Sequence, residues 1–279
     1  MLSLFYHLKL LRPLNVIIGG AAMVISAIIL NQIASTNIIF YTSFVVMLYT
    51  AGANALNDAL DSEIDLINQP QRPIPSGNVT VRMALIISFI LFLIGAILCL
   101  QLNDSAKFLG IAIAIPLMVF YSTHLKRKGI YGNITVAFIL AFSFLFAGSA
   151  HGRTDSMWIP MLLSFGLSLV REIVKDVADI EGDKSSYLST YPITKGIKST
   201  NRLIVILSVI ICVGSLIPYY CDIYGIWYLI ILLVGVEIPL LFSVVLLIKN
   251  PSNSTASICA RILKFSTIAG LVAIYLGAL

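Results

Sequence analysis

"NALNDALDSEIDLINQPQRPIPSG", residues 54–77, is the stretch whose reading decides this chain. Before it lies "NIIFYTSFVVMLYTAGA" (37–53), and after it "ALIISFILFLIGAILCL" (84–100), each apolar enough to sit in a bilayer. Between them Asp58, Asp61, Glu63 and Asp65 fall close together. A chain that is 59% hydrophobic and only 11% charged has set four carboxylates against the end of an apolar helix.

Working outward, the mean hydropathy is +0.98, and apolar runs of about 20 residues recur along the chain. Nine are counted, centred near residues 22, 47, 92, 114, 141, 165, 210, 237 and 268. Backbone polar groups in lipid must be satisfied within the spanning segment, so the expected fold is an all-α integral membrane bundle. Alternating ten-residue segments of a β-barrel are absent from the pattern. Short tails and connectors leave no room for an ordinary soluble domain, so residues 1–279 are expected to form a single membrane domain. The opening "MLSLFYHLKLLRPLN" is amphipathic and shows no small-residue cleavage site, and it reads as an interfacial lead-in to the first span. Cys99, Cys212, Cys221 and Cys259 are scattered without metal spacing, which points to packing.

Charge gives the orientation. With nine spans, the amino-terminal tail and alternate connections hold 16 of the Lys and Arg residues, and the opposite side keeps only Lys107 and Arg153. Lys/Arg-rich loops are cytoplasmic, so the amino terminus is expected inside and the carboxy terminus outside. Nine of the 13 acidic residues follow the same geography. They form two clusters, at the cytoplasmic ends of the second and sixth spans.

Asp58, Asp61 and Asp65 are spaced by three and four residues, and Asp176, Asp179 and Asp183 repeat that spacing. On a helix each trio makes one stripe, joined by Asn54 and Glu172, with Asn57 bordering the first. Stacked like charges at a helix carboxy terminus repel one another and oppose the macrodipole. One acidic cluster would read as a solvated helix end. Two with matched spacing, on one membrane face, point to divalent metal, and hard oxygen ligands suit Mg²⁺ bridging carboxylates to substrate phosphates. Arg72 follows the first ladder in a proline-stiffened loop, where a guanidinium can fork onto phosphate. "YSTHLKRKG" brings Lys126, Arg127 and Lys128, a run that the positive-inside rule alone also accounts for. Arg171, Lys175 and Lys184 interleave with the second ladder. The sum is a Mg²⁺-diphosphate clamp opening onto an apolar bundle, fitted to a ligand with a diphosphate head and a hydrocarbon tail.

Here the motifs resemble a known family. "NDALDSEID" is similar to the N-D-x-x-D-x-x-x-D signature of the UbiA superfamily of intramembrane prenyltransferases. "KDVADIEGD" is similar to its second aspartate motif and "YSTHLK" to its Tyr-x4-Lys motif, and "RPLN" (12–15) and "RPIPSG" (72–77) also fit. The resemblance implies a nine-helix bundle with a central cavity capped on the cytoplasmic side. It implies that Asn57, Asp61, Asp65, Asp179 and Asp183 hold Mg²⁺, and that these aspartates with Asp58 and Asp176 form the catalytic diphosphate site. Arg72, Lys126 and Lys175 would contact diphosphate, and Asn15, Tyr121 and Arg171 complete the expected substrate-binding set. The implied chemistry is ionisation of the allylic diphosphate and capture of its carbon by an acceptor, in a cavity that excludes water.

Within the superfamily, "REIVKDVADIEGDK" and "EIDLINQPQRPIPSG" look closest to archaeal members that make the second ether bond of membrane lipids. Those join geranylgeranyl diphosphate to the free hydroxyl of geranylgeranylglyceryl phosphate. A phosphate-bearing acceptor needs further cations, and Arg12, Arg127, Lys128, Arg171 and Lys184 supply them, although lipid headgroups are alternative partners. Glu172 and His124 are the candidate bases for the hydroxyl. The partners are thus prenyl diphosphate, a lipid-soluble acceptor and the bilayer, with no nucleic acid. Alternatives are an aromatic acceptor of the quinone, homogentisate or tetrapyrrole type and, in another class, an ion-coupled transporter. The transporter is disfavoured because the acids sit at one face and no matched pair of Gly/Pro-broken spans is seen at mid-depth. A CDP-alcohol phosphotransferase would need an Asp-Gly-x-x-Ala-Arg element that is missing.

Overall fold

The apolar runs become helices centred close to their expected positions. The computed structural model describes residues 2–126, 128–185 and 188–279, with side chains from residue 4 onward. Among these, no strand occurs. The helices are α1 Leu2–Leu11, α2 Pro13–Ile29, α3 Thr36–Leu60, α4 Ser62–Asn68, α5 Val81–Cys99, α6 Asp104–Leu125, α7 Ile130–Ala150, α8 Trp158–Ala178, α9 Ile180–Ser185, α10 Tyr191–Lys195, α11 Ile197–Tyr220, α12 Ile226–Lys249 and α13 Asn253–Gly277. Among the described residues, eight helices are long and apolar enough to cross a membrane. A ninth span results if α1 and α2 count together. They are bent by 50° at Arg12, where the expected lead-in turns into the first span.

The chain forms two compact units, residues 1–126 with 143–155, and residues 127–142 with 156–279. The same order of elements occurs in both. Each runs from a span to a span that ends in an acidic ladder, then to a third span, then to a span that widens just before an Ile-Pro pair. In the first unit these are α2, α3, α5 and α6. In the second they are the first part of α7 (residues 130–142), α8, α11 and α12, followed by α13.

In the first unit α5 buries Ala84, Ser88, Phe92, Gly95 and Cys99, spaced by three and four, while Phe89, Leu93 and Ile97 stay exposed. Exposed apolar side chains of that size belong against lipid. The buried face meets α3 closely: a Cβ on Gly95 would stand 2.5 Å from the Tyr49 ring. Ser88 Oγ donates to the Gly52 carbonyl at 2.8 Å, the kind of small-residue and hydroxyl contact that joins helices in lipid. Thr80 and Asn103 cap α5 and α6 by accepting the Met83 and Ala106 N–H groups. In the second unit the buried face of α11 carries Thr200, Ser208 and Ser215 with Ile204.

Two spans depart from the sequence expectation. α6 takes a wide π-helical course over Phe108–Ala114, and α12 over Leu233–Glu237. Each wide segment lies just before an Ile-Pro pair, Ile115–Pro116 and Ile238–Pro239. A proline ring clashes with the carbonyl four residues back, and the wider turn relieves that clash. A matched pair of Pro-containing spans therefore exists, widened rather than broken.

Candidate functional site

The acidic ladders lie not on continuous helices but across matched breaks. α3 stops at Leu60, and Asp61 takes φ −95, ψ 6 before α4 begins. α8 stops at Ala178, and Asp179 takes φ −100, ψ 9 before α9 begins. Both values lie in the bridge region, sparsely used elsewhere and frequent in active sites. The hydrogen bonds match as well. Asp61 N–H donates to the Asn57 carbonyl at 2.9 Å and Asp65 N–H to the Asp61 carbonyl at 2.8 Å. Asp179 N–H donates to the Lys175 carbonyl at 2.9 Å and Asp183 N–H to the Asp179 carbonyl at 3.0 Å. The middle aspartate of each trio is thus a hinge, which corrects the single-stripe expectation.

In the first unit, Asp58, Asp61 and Asp65 are all buried, while Glu63 is exposed. Three cations reach the buried acids. Arg12 donates to Asp58, and Lys126 donates to Asp61. Arg72 Nη1 donates to Asp65 Oδ2 at 2.6 Å and to Asp58 Oδ1 at 3.3 Å, so one guanidinium holds two carboxylates. Burial pushes the Asp65 carboxyl above its usual range, and Asp58 and Asp61 add to this, against the opposing pull of Arg72. Lys126 owes its placement to a second π turn, Tyr121–Leu125, in which its N–H donates to the Tyr121 carbonyl at 2.9 Å. In an α-helix the two side chains would diverge by about 140°. The wide turn stacks them on one side, which gives the Tyr-x4-Lys spacing its physical meaning. Tyr121 is buried, whereas His124 is exposed, hydrogen-bonded to Thr123 and stacked on Phe120. Asn15 is half-buried in the first turn of α2. Asn54, expected on the ladder stripe, donates to the Leu11 carbonyl at 3.0 Å instead.

In the second unit, Glu172 and Asp183 are buried, and Asp176 and Asp179 half-buried. Asn133 Nδ2 donates to Asp176 at 2.9 Å. Arg171 Nη1 and Lys175 Nζ hold Glu172 at 2.9 and 2.5 Å. The Arg171 Nε atom is buried without a hydrogen-bond partner. Lys128 and Lys184 are exposed, and Arg127 lies outside the described residues.

Two buried polar positions escaped the sequence reading. Asn133, a buried amide near the start of an otherwise apolar helix, gave only the faint signal of one polar residue out of place. Glu237 was more legible, as the one acid inside "ILLVGVEIPLLF". It is buried and accepts from Ser215 Oγ at 2.9 Å, while Tyr228 OH donates to the Ser215 carbonyl at 2.6 Å.

Among the described residues, no three His, Cys, Asp or Glu side chains close on one point as a ready-made metal cage. The donor set nevertheless suits Mg²⁺. All donors are hard oxygens, Asn57 Oδ1 is buried with no hydrogen-bond partner, and Mg²⁺ is commonly held by one or two carboxylates, waters and substrate phosphate. Asp58, Asp61 and Asp65 each already face a cation.

Acids and basic side chains at matched breaks in apolar spans define the class: an all-helical, multi-pass membrane enzyme. Residues 17–268 match the UbiA prenyltransferase family, and the chain belongs to that family. It is a prenyltransferase. The chain is 35% identical to the digeranylgeranylglyceryl phosphate synthase of Methanosphaera stadtmanae, over 98% of this chain and 99% of that one. It is 36% identical to the synthase of the same name from Saccharolobus solfataricus, over 100% and 98%. A solved structure described as a digeranylgeranylglyceryl phosphate synthase superposes with a TM-score of 0.76 at 33% identity, covering 100% of this chain and 99% of that one. A UbiA homologue from Archaeoglobus fulgidus bound to DMAPP and Mg²⁺ shares the fold, with a TM-score of 0.65 at 17% identity over 96% and 98%.

Proposed function

We propose that this enzyme transfers a geranylgeranyl group from geranylgeranyl diphosphate to the glycerol hydroxyl of geranylgeranylglyceryl phosphate, in the making of archaeal ether lipids. The observation that carries this reading is the pair of matched helix breaks at Asp61 and Asp179. The first lies in a buried ladder held by Arg12, Arg72 and Lys126, and the second follows Glu172 with Arg171 and Lys175 upon it. Full-length similarity to synthases of that name supports the choice of acceptor.

In the proposed reaction the allylic C1–O bond breaks and its electron pair leaves with diphosphate. C1 then bonds to the glycerol oxygen, and the hydroxyl proton is lost. Asn57, Asp61, Asp65, Asp179 and Asp183 would hold Mg²⁺, which when bound neutralises charge on the diphosphate. Both ladders are required for this one reaction, and residues 1–279 act as a single prenyltransferase domain. Arg72, Lys126 and Lys175 turn from carboxylates to phosphate oxygens, where charge-assisted hydrogen bonds stabilise the leaving group. Asp58 and Asp176 hold the neighbouring basic and amide groups in place. Tyr121 and Asn15 line the donor, and Arg171 offers its guanidinium to the acceptor phosphate. Apolar helices keep water from the developing carbocation. Glu172 serves as base for the hydroxyl, since His124 is exposed and stacked on Phe120. The active site and amino terminus face the cytoplasm and the carboxy terminus faces outward, as the Lys/Arg bias argues.

The test supplies labelled geranylgeranyl diphosphate with geranylgeranylglyceryl phosphate, hydroxybenzoate and homogentisate in parallel, with Mg²⁺ or with EDTA. Product on the glyceryl ether phosphate alone, and only with Mg²⁺, is expected. Product on an aromatic acceptor alone moves the enzyme to the quinone branch, and full turnover in EDTA refutes the metal role.

A further inference from the structure

The elbow between α1 and α2 is built more elaborately than a membrane anchor requires. Arg12 at the elbow adopts φ 54, ψ 69, a left-handed conformation that non-glycine residues seldom take and that concentrates at functional sites. Two α3 side chains hold it there. Asn54 Nδ2 donates to the Leu11 carbonyl at 3.0 Å, and Asp58 accepts from the Arg12 guanidinium. Elsewhere on α1, Lys9 Nζ donates to the Gln71 carbonyl at 3.0 Å, immediately before Arg72. Leu10 is fully buried in a cluster with Ala55, Ala59, Ile74 and Val79. The elbow is therefore fixed at once to the ladder helix and to the loop that carries Arg72.

Such fixing directs a charge. A carbonyl at the end of α1 needs a donor, and water would serve at a membrane surface. Here the donor is a buried amide, one turn before Asp58 on the same helix. The Leu11 bond sets the elbow, the elbow sets Arg12, and Arg12 reaches the carboxylate that also receives Arg72. We infer that Asn54 is a positioning residue for Arg12, and that Arg12 is a further diphosphate-binding cation beside Arg72 and Lys126, so that the amino-terminal helix completes the donor site. This rests on the diphosphate reading above.

Full-length enzyme is titrated with inorganic pyrophosphate in the presence of Mg²⁺, as wild type, Arg12→Ala, Arg12→Lys, Asn54→Ala and the Arg12→Ala/Asn54→Ala double variant. Arg12→Ala and Asn54→Ala each weaken pyrophosphate binding about tenfold, the worth of one charge-assisted hydrogen bond. The double variant binds no worse than Arg12→Ala, because Asn54 acts through Arg12. Arg12→Lys recovers part of the loss, and with donor the variants raise KM more than they lower kcat. Arg12→Ala leaves the Leu11–Asn54 bond intact and so reads the charge separately from the cap. Losses that add in the double variant, or an Asn54→Ala enzyme that melts lower yet binds pyrophosphate like wild type, reduce Asn54 to a structural cap and overturn the inference. A wild type that binds no pyrophosphate with Mg²⁺ overturns the diphosphate reading itself, and this inference falls with it.

Discussion

Replacing Arg72 with alanine should move two measurements in opposite directions. Its guanidinium lies 2.6 Å from Asp65 and 3.3 Å from Asp58, carboxylates whose side chains are only 6% and 3% exposed. A charge-assisted hydrogen bond to a buried group is worth about 1.5–3 kcal/mol. The Arg72 side chain is 27% exposed, so screening by solvent reduces this to about 1 kcal/mol. On the proposed role of Asp65 as a Mg²⁺ ligand, that energy opposes metal binding, because the metal would have to displace the guanidinium. Arg72→Ala should therefore tighten Mg²⁺ binding without diphosphate by about fivefold. With donor present the same change removes a cation from the leaving group, and kcat/KM should fall about 10²–10³-fold. Arg72→Lys, a point charge without the fork, should fall between. Calorimetric Mg²⁺ titration gives the first quantity and a radiolabel assay gives the second. Weaker Mg²⁺ binding in Arg72→Ala without diphosphate would show that the guanidinium does not compete for Asp65, and the argument would fail.

Asp61→Asn and Asp183→Asn should each cut turnover by about 10³-fold or more while leaving the melting temperature near wild type, and strong unfolding of either would recast these acids as structural. Burial raises the Asp65 carboxyl above its usual range, so with Mg²⁺ held there as proposed, protons would compete for it and metal affinity should weaken as pH falls through that raised value. By the same sign, this group's contribution to metal-free stability is fully present below the ordinary aspartate pKa. It is lost as pH rises through the raised one, so thermal melts of Asp65→Asn should lack that part of the slope. Glu237→Gln keeps an acceptor for Ser215 and should leave activity intact, whereas Ser215→Ala should cost about 1 kcal/mol in unfolding from detergent, and a turnover loss in Glu237→Gln would instead make that acid functional.

The places where the sequence reading held and where it gave way follow from range. Hydropathy and the positions of spans are properties of consecutive residues, so helices such as Val81–Cys99 and Ile226–Lys249 were legible in the chain alone. The ladder spacing was legible for the same reason. Spacing puts Asn54 on the ladder stripe, but the tertiary contact with α1 turns its amide to the Leu11 carbonyl. No local rule pairs Arg12 with Asp58 across 46 residues, or Lys126 with Asp61 across 65.

Composition and periodicity by themselves determined that this chain spans a membrane as helices. Residue order alone placed matched acidic triplets at the ends of two spans, because lipid enforces backbone satisfaction within each segment and like charges do not stack without a purpose. Tertiary structure decided the bridge-region hinges at Asp61 and Asp179, the π turn that brings Lys126 beneath Tyr121, and the cation that rests on each of Asp58, Asp61 and Asp65. Those depend on which distant groups meet in a water-poor interior, where a buried carboxylate needs a partner wherever in the sequence that partner lies.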